Sequence, residues 1–150
     1  MKIELKEATK QDLPKVIAFI EEFYAIDQYP FDANKISQCL QALIDNNNLG
    51  KLWLICEGSR PVGYLVLSLG FSMEYMGRDA FIDDFYIQSA DRNKGIGAIV
   101  MNQVISIATK MGIKVLHLEV EKHNERAKNL YLKKGFKINQ RHLMNKRLVE

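Results

Sequence analysis

Phe81-Ile-Asp-Asp-Phe-Tyr-Ile-Gln-Ser-Ala-Asp-Arg-Asn-Lys-Gly-Ile-Gly97 is the stretch whose reading decides the fold. The apolar run from Phe81 to Ile87 has the length and composition of a buried strand, yet it carries two adjacent acids, Asp83 and Asp84. A polar turn, Gln88 to Lys94, follows, and Gly95 and Gly97 open a segment with helical apolar spacing. A strand–turn–helix of this kind gathers free backbone N–H groups, the positive end of a helix dipole and two basic side chains at one point. Glycine there lets an anion reach the main chain without meeting a Cβ. The residues alone therefore describe an anion cradle beside a pair of carboxylates.

The glycines do not form a dinucleotide fingerprint, because Val100 stands where the third glycine belongs, and the chain has no Gly-x-x-x-x-Gly-Lys-Ser/Thr loop. On its own, Gly-x-Gly reads equally well as a plain strand-to-helix turn. Arg92-Asn93-Lys94-Gly95-Ile96-Gly97 resembles the Arg/Gln-x-x-Gly-x-Gly/Ala pyrophosphate loop of the GNAT superfamily of acyl-CoA-dependent N-acetyltransferases. Downstream, Leu118-Glu119-Val120, then Asn124, Ala127, Leu130-Tyr131 and Gly135-Phe136, are similar to that family's second signature, in the right order and at a fitting separation. The resemblance is firm over residues 80–136 and rests on element order elsewhere.

A chain of 150 residues is one ordinary domain, 1–150, long enough to bury a core. Its 47% hydrophobic and 26% charged content is that of a soluble globular protein. No apolar run is long enough to cross a membrane, and Glu4, Lys6 and Glu7 interrupt any signal-like core, so a cytoplasmic location and no membrane partner are expected. Cys39 and Cys56 have no metal-ligand spacing, and no metal site is expected; both read as reduced, buried thiols. The net charge of +3 hides a split: residues 1–91 hold 8 Lys/Arg and 14 Asp/Glu, whereas residues 92–150 hold 13 and 4. Most of this is solvated surface charge, but the division suits an anionic ligand on the second half and a cationic one on the first. Nucleic acid is the rival partner for the basic half. It is disfavoured because Glu121 and Glu125 interleave with the bases and no aromatic platform is evident.

Taken in order, residues 2–8 alternate as a half-exposed strand does. Thr9 caps a helix with Asp12 and Pro14 in its first turn and Leu13, Val16, Ile17, Ile20, Phe23 and Tyr24 inward. An aromatic loop, Ala25 to Phe31, precedes a second helix capped by Asp32, with Ile36, Leu40, Leu43 and Ile44 inward. Leu52–Cys56 and Val62–Leu69 are strands joined by a hairpin turn and buried on both faces. Phe71 to Gly77 reads as a less regular loop in which Met73 and Met76 fill core gaps or, alternatively, line an acceptor pocket with Tyr75. Strand 80–88 follows, then a helix with Ile96, Ile99, Val100, Val104, Ile107 and Met111 on one face, ended by Gly112. Val115–Val120 is a strand, Asn124–Lys134 a short helix, and Phe136 to Val149 is expected to supply one or two closing strands. The result is an α/β (α+β) single domain of element order βααβββαβαβ(β): a central mixed, mostly antiparallel sheet with helices on both faces, which is the order the resemblance implies.

What the resemblance implies for chemistry can be set out residue by residue. The main chain of Phe85, Tyr86 and Ile87 runs along the pantetheine arm of acetyl-CoA, pairing with it as a neighbouring strand would. The N–H groups of Asn93, Lys94, Gly95, Ile96 and Gly97 hold its pyrophosphate, with Arg92 or Lys94 adding charge, and Asn124 contacts the carrier from the opposite strand. Tyr131 stands where the family's general acid stands, near the sulfur. A thiol titrates near 8.5 and a tyrosine near 10, so full proton transfer is uphill by roughly 2 kcal/mol in water; either burial of the anion beside Tyr131 reverses that, or Tyr131 only donates a strong hydrogen bond.

An alkyl ammonium titrates near 10.4, leaving about one amine in 2,500 ready to attack at neutral pH. Asp83 aligns with the family's acid and is assigned the amine's proton. Strict alternation would put Asp83 on one face with Phe81, Phe85 and Ile87, and Asp84 on the other with Ile82 and Tyr86, but the resemblance also implies a bulge common in this strand that would spoil the alternation. The plain alternative is that one or both acids pair with Arg78, Arg92 or Lys94 and brace the turn. Glu74, Asp84 and Tyr29 are assigned to the acceptor. His117, His123 and His142 read as structural or exposed. The reading is acetyl transfer from acetyl-CoA to a primary amine by direct attack in a ternary complex, the acceptor a small cationic amine, with a homodimer compatible with it. A protein lysine or N-terminal amine, and a non-catalytic acyl-CoA sensor, are the alternatives.

Overall fold

The computed structural model describes residues 1–149, and contacts divide them into two compact units, Met1–Glu119 and the segment from Val120 onward. In the first unit β1 (Ile3–Glu7) leads through a short 3₁₀ turn, Lys10–Asp12, into α1 (Leu13–Ile26). The Thr9 N–H donates to the Asp12 carboxylate at 2.9 Å, and this bond, ahead of Lys6, holds the Asp12 carboxyl below its ordinary range. α2 (Ala33–Asp45) starts on Asp32, whose side chain accepts from the N–H groups of Asn34 and Lys35, both at 3.1 Å. β2 (Gly50–Glu57) and β3 (Arg60–Ser72) form the expected hairpin around Gly58, which adopts φ +62°.

β3 runs further than its hydrophobic pattern suggested, so the expected loop shrinks to a four-residue turn, residues 73–76, before β4 (Gly77–Ile87). Met73 and Met76 lie on that turn and are exposed rather than filling the core. α3 (Ile96–Lys110) and β5 (Val115–Leu118) complete the unit. α3 ends in a left-handed Gly112, with the Gly112 N–H bonded to Thr109 O and the Ile113 N–H to Ala108 O. That pair of bonds is a Schellman ending.

The sheet order is β1-β2-β3-β4-β5, antiparallel except for the parallel β4/β5 pair. Consecutive residues of β2, from Leu52 to Cys56, are all buried, as a strand covered on both faces requires. On one face Leu52, Leu54, Cys56, Tyr64 and Tyr86 pack with Val16, Phe19 and Ile20 of α1 and Leu40 of α2. On the other lie Ile55, Leu65, Leu67 and Ile82, with the buried side of α3: Ile96, Val100, Met101 and Val104. Gln103 of α3 ties to β1 by donating to Ile3 O at 2.8 Å. Cys56 is buried as expected, but Cys39 is exposed, because the inward face of α2 is carried by Leu40 and its neighbours.

The second unit contains α4 (Glu125–Lys133), capped by Asn124, whose side-chain oxygen accepts from the Ala127 N–H at 3.2 Å. Its end is again a Schellman motif: Gly135 has φ +92°, its N–H bonds Leu132 O, and the Phe136 N–H bonds Tyr131 O. The expected closing strands are not formed, since no strand occurs among residues 136–149. Ile138, Leu143, Met144, Leu148 and Val149 are exposed, and the polar residues between them do not alternate as a half-buried strand would. At Asn139 the side chain accepts from the Arg141 N–H at 2.7 Å, a local bond that bends the chain instead of leaving it extended. No helix of the described residues is long and apolar enough to cross a membrane.

Candidate active site

β4 carries the two acids, and its pairing explains their directions. Val66 stands opposite Asp84 and Leu67 opposite Ile82, so Asp83 has no partner on β3 and forms a β-bulge. The bulge breaks strict alternation. Asp84 faces the same side as Tyr86, as expected, but Ile82 pairs with Leu67 and faces the α3 side, so the two do not share a face. Asp83 is left exposed at the kink, and the protein around it still raises its carboxyl above the ordinary value.

Asp84 is bound by two phenols. Tyr64 of β3 donates to its Oδ2 at 2.7 Å, and Tyr24 of α1 donates to the same oxygen at 3.0 Å. Burial raises the Asp84 carboxyl, the two phenol bonds pull it down, Asp83 adds to the rise, and the net direction is up. Both phenols are pushed well above the ordinary tyrosine range, first by burial and then by the Asp84 charge. Tyr29 follows from α1, its N–H bonded to Tyr24 O and its ring edge-on to Tyr24 at 6.0 Å. The structure thus gathers Tyr29, Tyr24 and Asp84, while Glu74 lies on the exposed β3–β4 turn.

Neither acid pairs with Arg78, Arg92 or Lys94 among the described residues, so the alternative in which they brace the turn is set aside. A third acid braces it. Asp91, 2% exposed, receives Arg60 Nη2 at 2.8 Å and Nη1 at 3.1 Å, Gln88 Nε2 at 2.6 Å and Lys94 Nζ at 3.2 Å. The Arg60 fork, followed by Gln88, holds its carboxyl well below the usual range. Sequence reading missed Asp91 and Arg60. The available signal was an acid with Gln88 and Lys94 three residues to either side of it in a tight turn.

Beyond Asp91 the main chain turns left-handed at Asn93 (φ +67°) and again at Gly95 (φ +79°), the N-cap of α3. Alternating left- and right-handed residues ahead of a helix make a concave nest of N–H groups, and the first turn of α3 adds donors without partners inside the helix. Arg92 is held beside this nest: its Nε donates to Ile87 O at 2.8 Å and its guanidinium lies 5.4 Å from the Tyr86 ring centroid. Lys94 reaches Asp91, so part of its charge is spent inside the loop. The parallel ladder of β4 with β5 ends at Ile82↔Leu118, yet β4 continues to Ile87 and delivers the chain into this nest. Residues 83–87, including Phe85 and Tyr86, therefore present main chain that β5 does not pair with. An extended chain carrying amides and ending in phosphates fits that edge and nest, and the donor set suits an anion.

In the second unit, Tyr131 is half-buried, packs edge-on to Phe136 at 5.9 Å, and burial pushes its phenol up to about 12. Asn124 uses its oxygen as the α4 cap.

The family model described as the acetyltransferase (GNAT) family matches residues 15–136. A crystal structure of an integron cassette protein, HFX_CASS3, from the mobile metagenome of Cole Harbour Salt Marsh is 32% identical, with a TM-score of 0.86 over 97% of this chain and 91% of that one. The uncharacterized N-acetyltransferase YhfO of Bacillus subtilis is 22% identical, covering 89% of both chains. A mouse (Mus musculus) thialysine N-epsilon-acetyltransferase is 25% identical over 85% of this chain and 79% of its own.

Proposed function

The chain belongs to the acetyltransferase (GNAT) family and is an acetyl-CoA-dependent N-acetyltransferase, and from that premise we propose that it delivers the acetyl group to a small cationic primary amine by direct attack in a ternary complex. The observation that carries the proposal is the position of the bulge. Asp83 lies just past the last β4/β5 pair, at the head of the free β4 edge that leads to the Gly95 nest. On this reading the 85–87 main chain binds the pantetheine arm and the 93–97 N–H groups bind the pyrophosphate, with Arg92 beside them. The acyl end then meets the amine at the acids.

Acetyl-CoA supplies an activated thioester, and the chain's residues supply position and proton handling. Asp83 takes the proton released as the C–N bond forms. Asp84, held by two phenols, receives the ammonium group of the acceptor, and Glu74 and Tyr29 contribute contacts further out. The thialysine acetyltransferase to which the chain is similar is named for a small cationic amine, which supports this acceptor class. The second-signature motif carries the roles of Asn124 as a carrier contact and Tyr131 at the sulfur. Burial keeps its phenol protonated, up at about 12, and Tyr131 acts as a hydrogen-bond donor to the departing sulfur. Because the family match runs from 15 to 136, through the boundary at 119, both units are read as serving one acetyltransferase domain.

The test is initial-rate kinetics with Asp83→Asn. Direct attack gives intersecting double-reciprocal lines in the wild type. Asp83→Asn is expected to lower turnover on the order of 10²-fold and to recover partly at high pH, where solvent supplies free amine. Parallel lines would refute direct attack, and a wild-type pH profile in the variant would remove Asp83 from the proton's path.

A further inference from the structure

One more pair of titratable groups lies on the acceptor side of the sheet, outside the Asp83–Asp84 bulge. His117 Nε2 of β5 stands 3.1 Å from Asp79 Oδ2 of β4, and the two side chains are only 29% and 17% exposed. The imidazole is boxed by aromatic rings, Phe81 at 4.8 Å and Tyr75 of the β3–β4 turn at 5.9 Å. A carboxylate on Nε2 selects the tautomer with its proton there, leaving the Nδ1 lone pair as a hydrogen-bond acceptor. An imidazole oriented by a carboxylate through one nitrogen, with a lone pair on the other, is the arrangement of a general base.

Its place in the fold fits that use. His117 is paired with Phe81, one step before the β4/β5 ladder ends, and Asp83 lies two residues beyond Phe81. Phe81 pairs with Ser68, and Val66, two residues earlier in β3, pairs with Asp84, so Phe81, His117 and Asp84 address the same side of the sheet. On that side α2 packs on β2, and α1 on β3 and β4. The groups facing the imidazole are Asp79 and Phe81 from β4 and Tyr75 from the turn, with Glu74 next to Tyr75 in the chain and Glu119 two residues on.

We propose that His117, positioned by Asp79, is a second proton acceptor of the acetyl transfer and takes the proton of the ammonium form of the acceptor before attack. The proposal rests on the amine-transfer reading above. It is called for by the proton balance. An ammonium and an acetyl thioester give an amide, a thiol and one free proton, as the C–N bond forms and the C–S bond breaks. The nitrogen therefore surrenders two protons. One matches the proton the thiolate takes up, and the other must reach solvent. Asp83 handles the proton released during bond formation, and His117 handles the earlier one. An ordinary imidazole is roughly 400 times more basic than an ordinary aspartate, so it is the better first acceptor for an ammonium proton.

The experiment measures kcat/KM for a working amine across pH, together with KM for acetyl-CoA, in wild type, His117→Gln and Asp79→Asn, and adds free imidazole to His117→Ala. His117→Gln is expected to lose on the order of 10²-fold at neutral pH with KM for acetyl-CoA unchanged, and to lose the acid limb of the wild-type profile. Asp79→Asn, which removes the carboxylate that orients the imidazole, is expected to lower kcat/KM at neutral pH with KM for acetyl-CoA unchanged. Added imidazole is expected to restore part of the His117→Ala rate. A folded His117→Gln enzyme with the wild-type profile and rate would overturn the proposal while leaving amine transfer standing. Should His117→Gln fail to fold, an Asp79→Asn enzyme with the wild-type rate, and no rescue of His117→Ala by imidazole, overturn it instead. If the wild type releases no thiol with any amine, the amine-transfer reading and this proposal fall together.

Discussion

Two phenols on one carboxylate oxygen constrain what Asp84 can do. Its folded carboxyl sits above the ordinary value, so whatever it contributes to stability is fully present below the unfolded value near 3.9 and is lost as pH rises through the raised folded value. Asp84→Asn, which cannot ionise, should therefore gain on wild type in denaturant-measured stability as pH climbs past the ordinary carboxylate range, while its KM for a cationic acceptor rises. A stability difference independent of pH would contradict that account. Tyr131→Phe removes one hydroxyl, and turnover is expected to fall on the order of 10²-fold with acetyl-CoA affinity unchanged; steady-state kinetics with wild-type turnover would reduce Tyr131 to its packing against Phe136. These partnerships differ in how readable they were. Tyr24 was legible as an inward helix residue, but its bond to an acid sixty positions away was not, because tertiary contact alone brings them together. His117 read as structural for the same reason: Asp79 is remote in sequence and adjacent only through the parallel ladder.

Elements whose ends are set by local chemistry were legible. Asp32 at the start of α2 and Gly112 at the end of α3 act through bonds to residues a few positions away, and the Gly135-Phe136 signature is a helix stop that also seats Phe136 against Tyr131. The bulge in β4 was readable only from the resemblance, and its position at Asp83 was not, since that depends on which β3 residue each β4 residue meets. The closing strands failed because a run with scattered apolar residues needs a partner edge to become a strand. The turn before α3 shows the same division: its left-handed Gly95 was legible, its Asp91 keystone was not. Asp91→Asn keeps the shape and removes the charge that four donors share, at a cost of about 1.5–3 kcal/mol. Because the folded carboxyl is depressed, the wild-type advantage is present above the unfolded value near 3.9 and lost as pH falls below it. Thermal unfolding with and without coenzyme A checks both parts. The variant should melt lower and show a smaller ligand-induced rise, whereas an unchanged rise would mean the nest holds its form without Asp91.

At the scale of the whole molecule, the charge division acquires a physical setting. The acid-rich first 91 residues include the Asp83–Asp84 bulge and Asp79, the partner of His117, and the basic remainder begins with Arg92 at the nest. On the proposed function, a field of that kind would favour an anionic carrier at the nest and a cation at the acids. The family was readable because short motifs carry it; the proposed acceptor depends on side chains from several elements and was proposed from the sequence only as a charge class. The central claim is transfer to a cationic amine, and the measurement that tests it most directly is thiol release from acetyl-CoA across a panel of primary amines matched in length but differing in charge. Cationic amines beyond the reacting nitrogen are predicted to exceed their neutral counterparts in kcat/KM by on the order of tenfold or more, about 1.4 kcal/mol for one partly buried charge contact. Equal rates for neutral aromatic and cationic amines, or thiol release confined to peptide acceptors, would contradict it.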